Sequence, residues 1–265
     1  MPVVSAKSIR SVALPAEHGA WSLWLEPALL AMLVAPSTPG IPFVLISFCF
    51  LLLHQPLRIV LIDVNRGKRY DRTRLAAVFL VLYIAIAGMV LLGIIAQVDT
   101  SVFIPLMPAF IAAIVVVWYY DLRGNSRDWL PEVLGAVIMS TFATSMALAG
   151  GWTWPASLAL SVIAAARSVS AVFYVRARLC QIKYGRDEFR AVIASYILFL
   201  CTLVILYLLR LAPFLALLAL ASLAARAIME LRRATILGAK VLGVQEVLLG
   251  LVYVFVVAAG FIFGV

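Results

Sequence analysis

The sequence predicts an all-α, polytopic membrane protein, built as a transmembrane bundle of about nine helices. Of the 265 residues, 65% are hydrophobic and 12% are charged, and the mean hydropathy is +1.12. Soluble domains contain about half apolar and a quarter charged residues, so this chain lies outside that class. Apolar runs of about 20 residues, the length that crosses the hydrocarbon core of a bilayer, recur along the whole chain. Positive charge is concentrated in alternate connections between these runs.

Nine apolar runs are expected to cross the membrane, separated by segments rich in proline, glycine and polar residues. In chain order they are residues 20–36, 42–62, 75–97, 102–120, 131–150, 155–175, 190–209, 212–229 and 241–263. The first and eighth are the shortest. Turn-forming residues mark several of the breaks: 36–40, 99–100, 150–151 and 210–213. No soluble domain or long linker interrupts the series, so residues 1–265 are predicted to form one integral membrane domain.

The basic residues predict how the chain is oriented. They follow the even-numbered spans: Arg66, Lys68, Arg69, Arg72, Arg74, Arg123, Arg127, Arg176, Arg178, Lys183, Arg186, Arg190, Arg232, Arg233 and Lys240. The opposite connections contain almost none, with Arg210 as the exception. Because basic connections remain in the cytoplasm, we expect a cytoplasmic N-terminus and a C-terminus outside. The same residues explain the formal charge of +9, so no nucleic-acid partner is expected.

Ionisable side chains within the spans are the first functional candidates. Glu26, His54, Arg167 and Glu246 lie inside apolar runs, where each charge costs on the order of 2.5–3.5 kcal/mol on insertion scales. Such residues indicate function by default, but ion pairs between helices are an equally simple explanation. For Arg167 in particular, Glu246 and Glu26 are the acidic residues at comparable depth, and an anionic ligand is the alternative partner.

Helical spacing places polar residues on one face of the second span and on one face of the sixth. The face of the second span contains Ser47, His54, Arg58 and Asn65. The face of the sixth contains Arg167, Ser170, Tyr174 and Arg178. If the two faces met, they would line a cavity open to the cytoplasm with a cationic rim. We therefore expect His54, Arg58, Arg167, Tyr174 and Arg178 to bind the anionic head of a ligand.

Two short segments carry a family resemblance. Residues 15–21, Pro-Ala-Glu-His-Gly-Ala-Trp, resemble the N-terminal signature of the YwiC-like family of bacterial membrane proteins. Residues 56–58 and 66–70 resemble the next block of that family. The resemblance implies a location in the bacterial cytoplasmic membrane, and it assigns no activity.

The layout also resembles, more distantly, the UbiA prenyltransferase superfamily. Those enzymes have nine spans and two aspartate-rich motifs, which hold Mg²⁺ and the diphosphate of an isoprenoid donor. Residues 63–74 resemble the first motif, so the resemblance implies Asp63, Asn65 and Asp71 as ligands of Mg²⁺ and Arg72 as part of its basic tail. Residues 119–135, with Arg123, resemble the connection between the fourth and fifth spans, which implies that Arg123 contacts the ligand.

At the second motif the chain departs from the superfamily. It has Tyr174, Arg176 and Arg178 where aspartates are expected, and Asp187 and Glu188 come only later. Arginines repel a divalent cation, but they bind phosphate or carboxylate directly in bidentate fashion. This departure puts catalysis in question more than the fold.

Two functions remain open. The first is an intramembrane protein that binds an amphipathic anionic isoprenoid or lipid and transfers a prenyl group. The alternative is a non-enzymatic protein with degenerate motifs, either an accessory subunit of a larger membrane complex or a lipid- or quinone-binding protein. A transporter is a third class, but the sequence shows no internal repeat that would favour it.

Overall fold

The fold was obtained as a computed structural model, which describes residues 6–15, 18–68, 70–123, 128–185, 188–233 and 238–265. All regular secondary structure in these ranges is helical, which confirms the all-α prediction. The ten α-helices are α1 Ala6–Ala13, α2 His18–Val34, α3 Ile41–Asn65, α4 Asp71–Ile94, α5 Leu106–Val115, α6 Trp129–Ala149, α7 Trp154–Tyr184, α8 Phe189–Leu208, α9 Phe214–Arg233 and α10 Ala239–Phe263. Among the residues singled out from the sequence, Ala16, Glu17, Arg69, Arg127, Arg186 and Asp187 lie outside the described ranges.

Eight helical segments of the described chain are long and apolar enough to cross a membrane. They are Thr38–Asn65, Asp71–Ile94, Thr100–Asp121, Trp129–Ala149, Trp154–Tyr184, Phe189–Leu208, Phe214–Arg233 and Lys240–Phe263. Large apolar side chains such as Val78, Val81 and Leu92 of α4 point outward and are well exposed, as lipid-facing residues are. The protein is therefore a membrane-embedded helical bundle.

The predicted first span, 20–36, corresponds to the shorter apolar helix α2. It has 17 residues, about 25 Å at a rise of 1.5 Å per residue. α2 packs against α3, α6, α7 and α10, and its residues Leu30 and Ala31 are completely buried. Because α2 is enclosed by other helices, its length is less constrained by the thickness of the surrounding lipid.

Two predicted spans continue beyond their apolar runs. The sixth, predicted as 155–175, extends to Tyr184 as the 31-residue helix α7, about 46 Å long. It ends at Gly185, whose φ of 63° is left-handed, a conformation that glycine adopts at little cost. The second span likewise extends to Asn65. Hydropathy detects only the part of a helix within the hydrocarbon, so the polar ends escape it.

The predicted fourth span, 102–120, is not one regular helix. It consists of a 3-10 turn, Thr100–Phe103, followed by α5 and a π-helical segment, Val116–Asp121. The N–H of Leu122 donates to the carbonyl of Val117 at 3.2 Å, a spacing of five residues that widens the helix. The π-helical segment packs against α3 and α6, and it buries Asp121. Segments of this kind are frequent at functional sites.

The helices form a closed arrangement around α2 and α7. The most extensive contacts are those of the α3–α4 and α6–α7 hairpins, and α8 and α9 link α7 to α10. α10 returns to pack against α2, so helices from the two ends of the chain are neighbours. Small residues of α6 and α7, among them Ala143, Ala147, Ala164 and Ala166, are buried; small residues allow helices to approach closely in a membrane.

Candidate functional site

The connection between α3 and α4 forms a polar site around Asp63, whose side chain is only 1% exposed. Arg72, on the first turn of α4, donates from Nη2 to Oδ1 at 2.8 Å and from Nε to Oδ2 at 3.2 Å. Thr73 donates from its hydroxyl to Oδ2 at 2.6 Å. The tight turn that allows this uses Gly67 at a φ of 64°. Both carboxylate oxygens of Asp63 are therefore engaged by protein donors.

The predicted ligands of Mg²⁺ do not converge in this arrangement. Asn65 and Asp71 are exposed, whereas Asp63 is buried against Arg72. The described residues contain no group of three or more His, Cys, Asp or Glu that could hold a metal ion. Mg²⁺ requires near-octahedral oxygen ligation, and the Arg72 guanidinium repels it. These residues do not fit such a site, and Mg²⁺ binding remains a prediction from the resemblance.

A cavity of about 190 Å³ opens beside this ion pair. Its lining residues are Gln55, Arg58, Ile59, Ile62, Asp63 and Arg72. We call it the α3–α4 pocket. Arg58 approaches Asp121 of the π-helical segment, with Nε 3.8 Å from Oδ1, and His54 Nε2 lies 3.1 Å from the other oxygen. A buried aspartate thus holds Arg72, and a second buried aspartate lies near Arg58.

A second polar site lies inside the bundle, where α2, α7, α9 and α10 meet. We call it the charge network. It consists of Glu26, Arg167, Tyr174, Arg226, Glu230 and Glu246.

Arg167 is at the centre of the charge network and is 2% exposed. Its Nη2 donates to the Glu246 backbone carbonyl at 2.8 Å and to Glu246 Oε2 at 3.1 Å. Its Nε is 3.9 Å from Glu26 Oε2, and this buried nitrogen has no hydrogen-bond acceptor in the described structure. The charge of Arg167 is therefore met by two carboxyl groups of the protein.

Arg226 joins the remaining carboxylates. It donates from Nη1 to Glu246 Oε1 at 2.6 Å, and it grips Glu230 with two bonds, from Nε at 2.9 Å and from Nη2 at 3.1 Å. The Tyr174 hydroxyl also donates to Glu230, as does Gln245 at 3.2 Å. Acidic and basic groups consequently alternate from Glu26 through Arg167, Glu246 and Arg226 to Glu230.

Arg178 extends this polar region toward the end of α7. It is 1% exposed, and its Nη1 donates to Gln181 Oε1 at 2.8 Å and to the Glu230 backbone carbonyl at 3.3 Å. Gln181 in turn donates to the Leu231 carbonyl at 3.1 Å. These bonds give hydrogen-bond donors to backbone carbonyls in the last turn of α9, which have no donor within the helix.

Comparison with known protein families identifies the family of this chain. A family model described as YwiC-like protein matches residues 14–147, about half of the chain. The chain belongs to the YwiC-like family. The matched region covers α2 to α5 and nearly all of α6, so it includes the α3–α4 pocket and Glu26. Comparisons with curated proteins and with solved structures gave no match.

In this YwiC-like protein the two predicted polar faces do not form a single cavity. α2 and α6 each pack against both α3 and α7, whereas α3 and α7 have no substantial contact with each other. His54 and Arg58 instead meet Asp121. The expected cavity between the two faces is therefore replaced by two separate polar sites.

The structure groups the predicted ligand-binding residues of the YwiC-like chain accordingly. Arg167 and Tyr174 lie in the charge network with Arg178 beside it, whereas Arg58 and Arg72 line the α3–α4 pocket. Arg123 joins neither; its exposed guanidinium lies 4.2 Å from the Tyr119 ring centroid.

Three residues of these sites were not identified from the sequence. Arg226 lies inside the predicted eighth span, and Glu230 follows it by one helical turn. An arginine within a span and an acidic residue four positions later could have predicted a buried ion pair. Asp121 comes one residue after the predicted fourth span. Its burial depends on the π-helical segment, for which the sequence offers no comparable signal.

Proposed function

We propose that this protein binds the anionic head of an amphipathic lipid or isoprenoid in the α3–α4 pocket, through arginine and without a metal ion. The observation that carries the proposal is the pair of guanidinium groups, Arg58 and Arg72, at one cavity. Two hydrogen bonds that Arg72 donates to Asp63 hold it in place, and the Nε of Arg58 lies 3.8 Å from the buried Asp121. Arginine held in this way presents a preformed fork to phosphate or carboxylate.

The size and lining of the pocket support a headgroup rather than a whole lipid. A volume of about 190 Å³ is below the range of about 300–1,000 Å³ typical of pockets that enclose an entire ligand. Ile59 and Ile62 make one wall apolar. We therefore expect the head to lie against the arginines while the hydrocarbon tail remains in the surrounding bilayer.

The side of the membrane belongs to the same proposal. The basic residues after α3 favour a cytoplasmic position for the α3–α4 connection, in the cytoplasmic membrane of a bacterium. Prenyl transfer, implied by the distant UbiA resemblance, would need the diphosphate leaving group to be stabilised. Because Arg72 already bonds to both carboxylate oxygens of Asp63, Asp63 is not available as a ligand of Mg²⁺. Direct binding of an anion is therefore the simpler function, and it involves no catalytic step.

Binding of a labelled farnesyl diphosphate to the protein in nanodiscs tests the proposal. We expect saturable binding in EDTA that added Mg²⁺ does not strengthen. Arg58→Met removes one fork and should weaken binding about tenfold, or about 1.4 kcal/mol. Arg72→Lys keeps a charge next to Asp63 but loses the fork, so it should weaken binding also.

Arg123→Met is the matched control, because Arg123 is exposed and does not line the pocket. Its affinity should equal that of the unchanged protein. Binding that requires Mg²⁺ would contradict direct recognition by arginine and favour the metal-dependent alternative. Binding that falls equally in Arg58→Met and Arg123→Met would mean that the α3–α4 pocket is not the binding site.

A further inference from the structure

We propose that the protein has a second binding site, for a small organic cation, at the end of the bundle opposite the α3–α4 pocket. Its ligand is a quaternary ammonium group, carried either by a soluble molecule or by a lipid headgroup. The site shares no residue with the α3–α4 pocket and does not depend on the function proposed for it.

A cavity of about 310 Å³ lies between the end of α4 and the start of α7. We call it the tryptophan pocket. Its lining comes from three segments, within residues 97–102, 148–149 and 151–154. The volume lies within the range of about 300–1,000 Å³ typical of pockets that enclose a small ligand. The tryptophan pocket can therefore surround a headgroup-sized molecule.

The lining of the tryptophan pocket is acidic. Asp99 lines it, and no lysine or arginine is among the lining residues in the described part of the chain. The four connections at this end of the bundle, residues 35–40, 95–105, 150–153 and 209–213, contain Asp99 as their one acidic residue and Arg210 as their one basic residue. Arg210 does not line the pocket. The pocket therefore disfavours an anion and attracts a cation.

Asp99 is held at the pocket by its own turn. It precedes the 3-10 turn Thr100–Phe103, and its Oδ1 accepts a hydrogen bond from the Ser101 backbone N–H at 2.7 Å. The turn packs against α6. Hydrogen bonds from Ser101 hold the pKa of the Asp99 carboxyl below its usual value, so the group is ionised at neutral pH. The negative charge of the pocket is thus fixed in position.

Trp152 and Trp154 supply two aromatic rings to the same cavity. The Trp152 backbone N–H donates to the Ala147 carbonyl at 3.0 Å, and its ring centroid lies 6.0 Å from that of Phe261. Trp154 is the first residue of α7. Gly151, with a φ of 82°, lets the chain turn between α6 and α7, which brings both tryptophans beside Asp99.

The combination of groups indicates the class of ligand. Tryptophan is the aromatic side chain that attracts a cation over its ring most strongly, and quaternary ammonium ligands are recognised by aromatic cages. Tryptophans near a membrane surface often serve only as anchors, but these two share a cavity with a carboxylate. The remaining lining includes Val98, Val102 and Leu148, which suit methyl groups and cannot replace the water around a metal ion.

Equilibrium binding of labelled choline tests the proposal, with the protein in nanodiscs of phosphatidylglycerol and phosphatidylethanolamine and with empty nanodiscs as the background. We expect saturable binding above this background. The neutral alcohol 3,3-dimethyl-1-butanol has the shape of choline without its charge, so it should not compete. This comparison uses the unchanged protein and does not depend on the folding of any variant.

Two variants locate the site. Asp99→Asn removes the charge but keeps an acceptor for Ser101, because asparagine caps a turn as well as aspartate does. Trp154→Leu removes one aromatic ring. Each should weaken choline binding about fivefold.

The matched controls make the same changes away from the tryptophan pocket. Asp128→Asn changes an exposed aspartate that precedes α6, and Trp118→Leu changes a tryptophan that is 77% exposed. Both should bind choline as the unchanged protein does.

The lipid composition distinguishes the two sources of the ammonium group. Phosphatidylcholine can replace phosphatidylethanolamine at a constant fraction of phosphatidylglycerol, which leaves the surface charge unchanged. Weaker choline binding in these nanodiscs would identify the lipid headgroup as a ligand of the pocket. Unchanged binding would identify a soluble cation.

Three results would overturn the proposal. The first is the absence of choline binding above that of empty nanodiscs. The second is equal competition by the neutral alcohol, which would mean that the charge is not recognised. The third is an affinity that is unchanged in Asp99→Asn and Trp154→Leu, or that falls equally in their controls.

Discussion

At the scale of single residues, Arg226 determines how the charge network is joined. It is the one described residue whose guanidinium bonds to both Glu230 and Glu246. Without it, Glu230 would lose the guanidinium with which it pairs, and Glu246 would lose one of two. A buried ion pair contributes little compared with an apolar pair of similar size, but breaking it by removing one member is strongly destabilising.

We therefore expect Arg226→Met to lower the free energy of unfolding by about 3–5 kcal/mol. Thermal or denaturant unfolding of the purified protein in nanodiscs would measure the change. Arg233→Met, an exposed change at the end of the same helix, is the control and should be nearly neutral. Equal stability of the two variants would mean that Arg226 is not needed to balance the carboxylates.

Gly250 gives a second prediction at this scale. A Cβ at this position would overlap the carboxyl group of Glu26, so Gly250→Ala should destabilise the protein by about 1–3 kcal/mol, the usual cost of overpacking. The double variant Gly250→Ala/Glu26→Ala should recover part of this loss in a double-mutant cycle. Gly88→Ala, with open space around the new methyl group, is the control; equal effects of the two alanines would exclude a specific contact.

Single residues also show what the sequence can reveal. The depth of Arg167 in its span limited its partners to an anionic ligand or the acidic residues at comparable depth, Glu246 and Glu26, because a buried charge has few acceptable neighbours. The separation of α3 from α7 by α2 and α6 could not be predicted in this way. Helical spacing tells which residues share a face, but it does not tell which other helix that face meets.

At the scale of helices, irregular elements position the polar groups. The π-helical segment turns Asp121 toward His54 and Arg58, and the extended end of α7 positions Arg178 and Gln181 beside α9. An apolar run that is hydrophobic on all sides indicates a span but contains no signal for a widened turn. This is why the approximate limits of most spans were predictable, while the element that buries Asp121 was not.

The short helix α1 provides the prediction at this scale. It is tied to the bundle by hydrogen bonds to its backbone: Tyr83 donates to the Ala13 carbonyl at 3.0 Å, and Gln55 donates to that of Ser11 at 3.4 Å. Tyr83→Phe removes the shorter bond, worth about 1 kcal/mol, so the amides of α1 should exchange with deuterium several times faster. Tyr207→Phe, a change at an exposed position, is the control. Unchanged exchange in α1 would show that its apolar contacts alone hold it.

At the scale of the whole molecule, the number of crossings depends on α2. Eight helical segments satisfy the length and composition of a membrane span, and α2 would be the ninth. With nine crossings the two termini lie on opposite sides, whereas with eight they lie on the same side. The basic connections after α3, α7 and α9 favour nine crossings. With eight, these connections would lie on the opposite side of the membrane from the N-terminus, whereas all of them are expected in the cytoplasm.

A reporter that is active only in the cytoplasm tests this arrangement when it is fused at the N-terminus, in the basic connection between α7 and α8, and after Val265. We expect it to be active at the N-terminus and in the basic connection, which is the matched control, and inactive after Val265. Because α2 precedes all the other spans, a reporter that is inactive at the N-terminus but active in the control would mean that α2 does not cross the membrane. In that case Glu26 would still be enclosed by α7 and α10, since those contacts do not depend on the count.

The contact between α2 and α10 has a consequence for biosynthesis. Glu26 is synthesised early, but the helices that carry Arg167, Arg226 and Glu246 leave the ribosome much later, and α10 is the last. Until α10 is inserted, Arg226 lacks Glu246, and Gly250 does not yet cover Glu26. The buried charges are therefore fully paired only after α10 has been inserted. A chain that stops after α9 would leave Arg167 and Arg226 without Glu246, and a poorly paired charge within a membrane is costly.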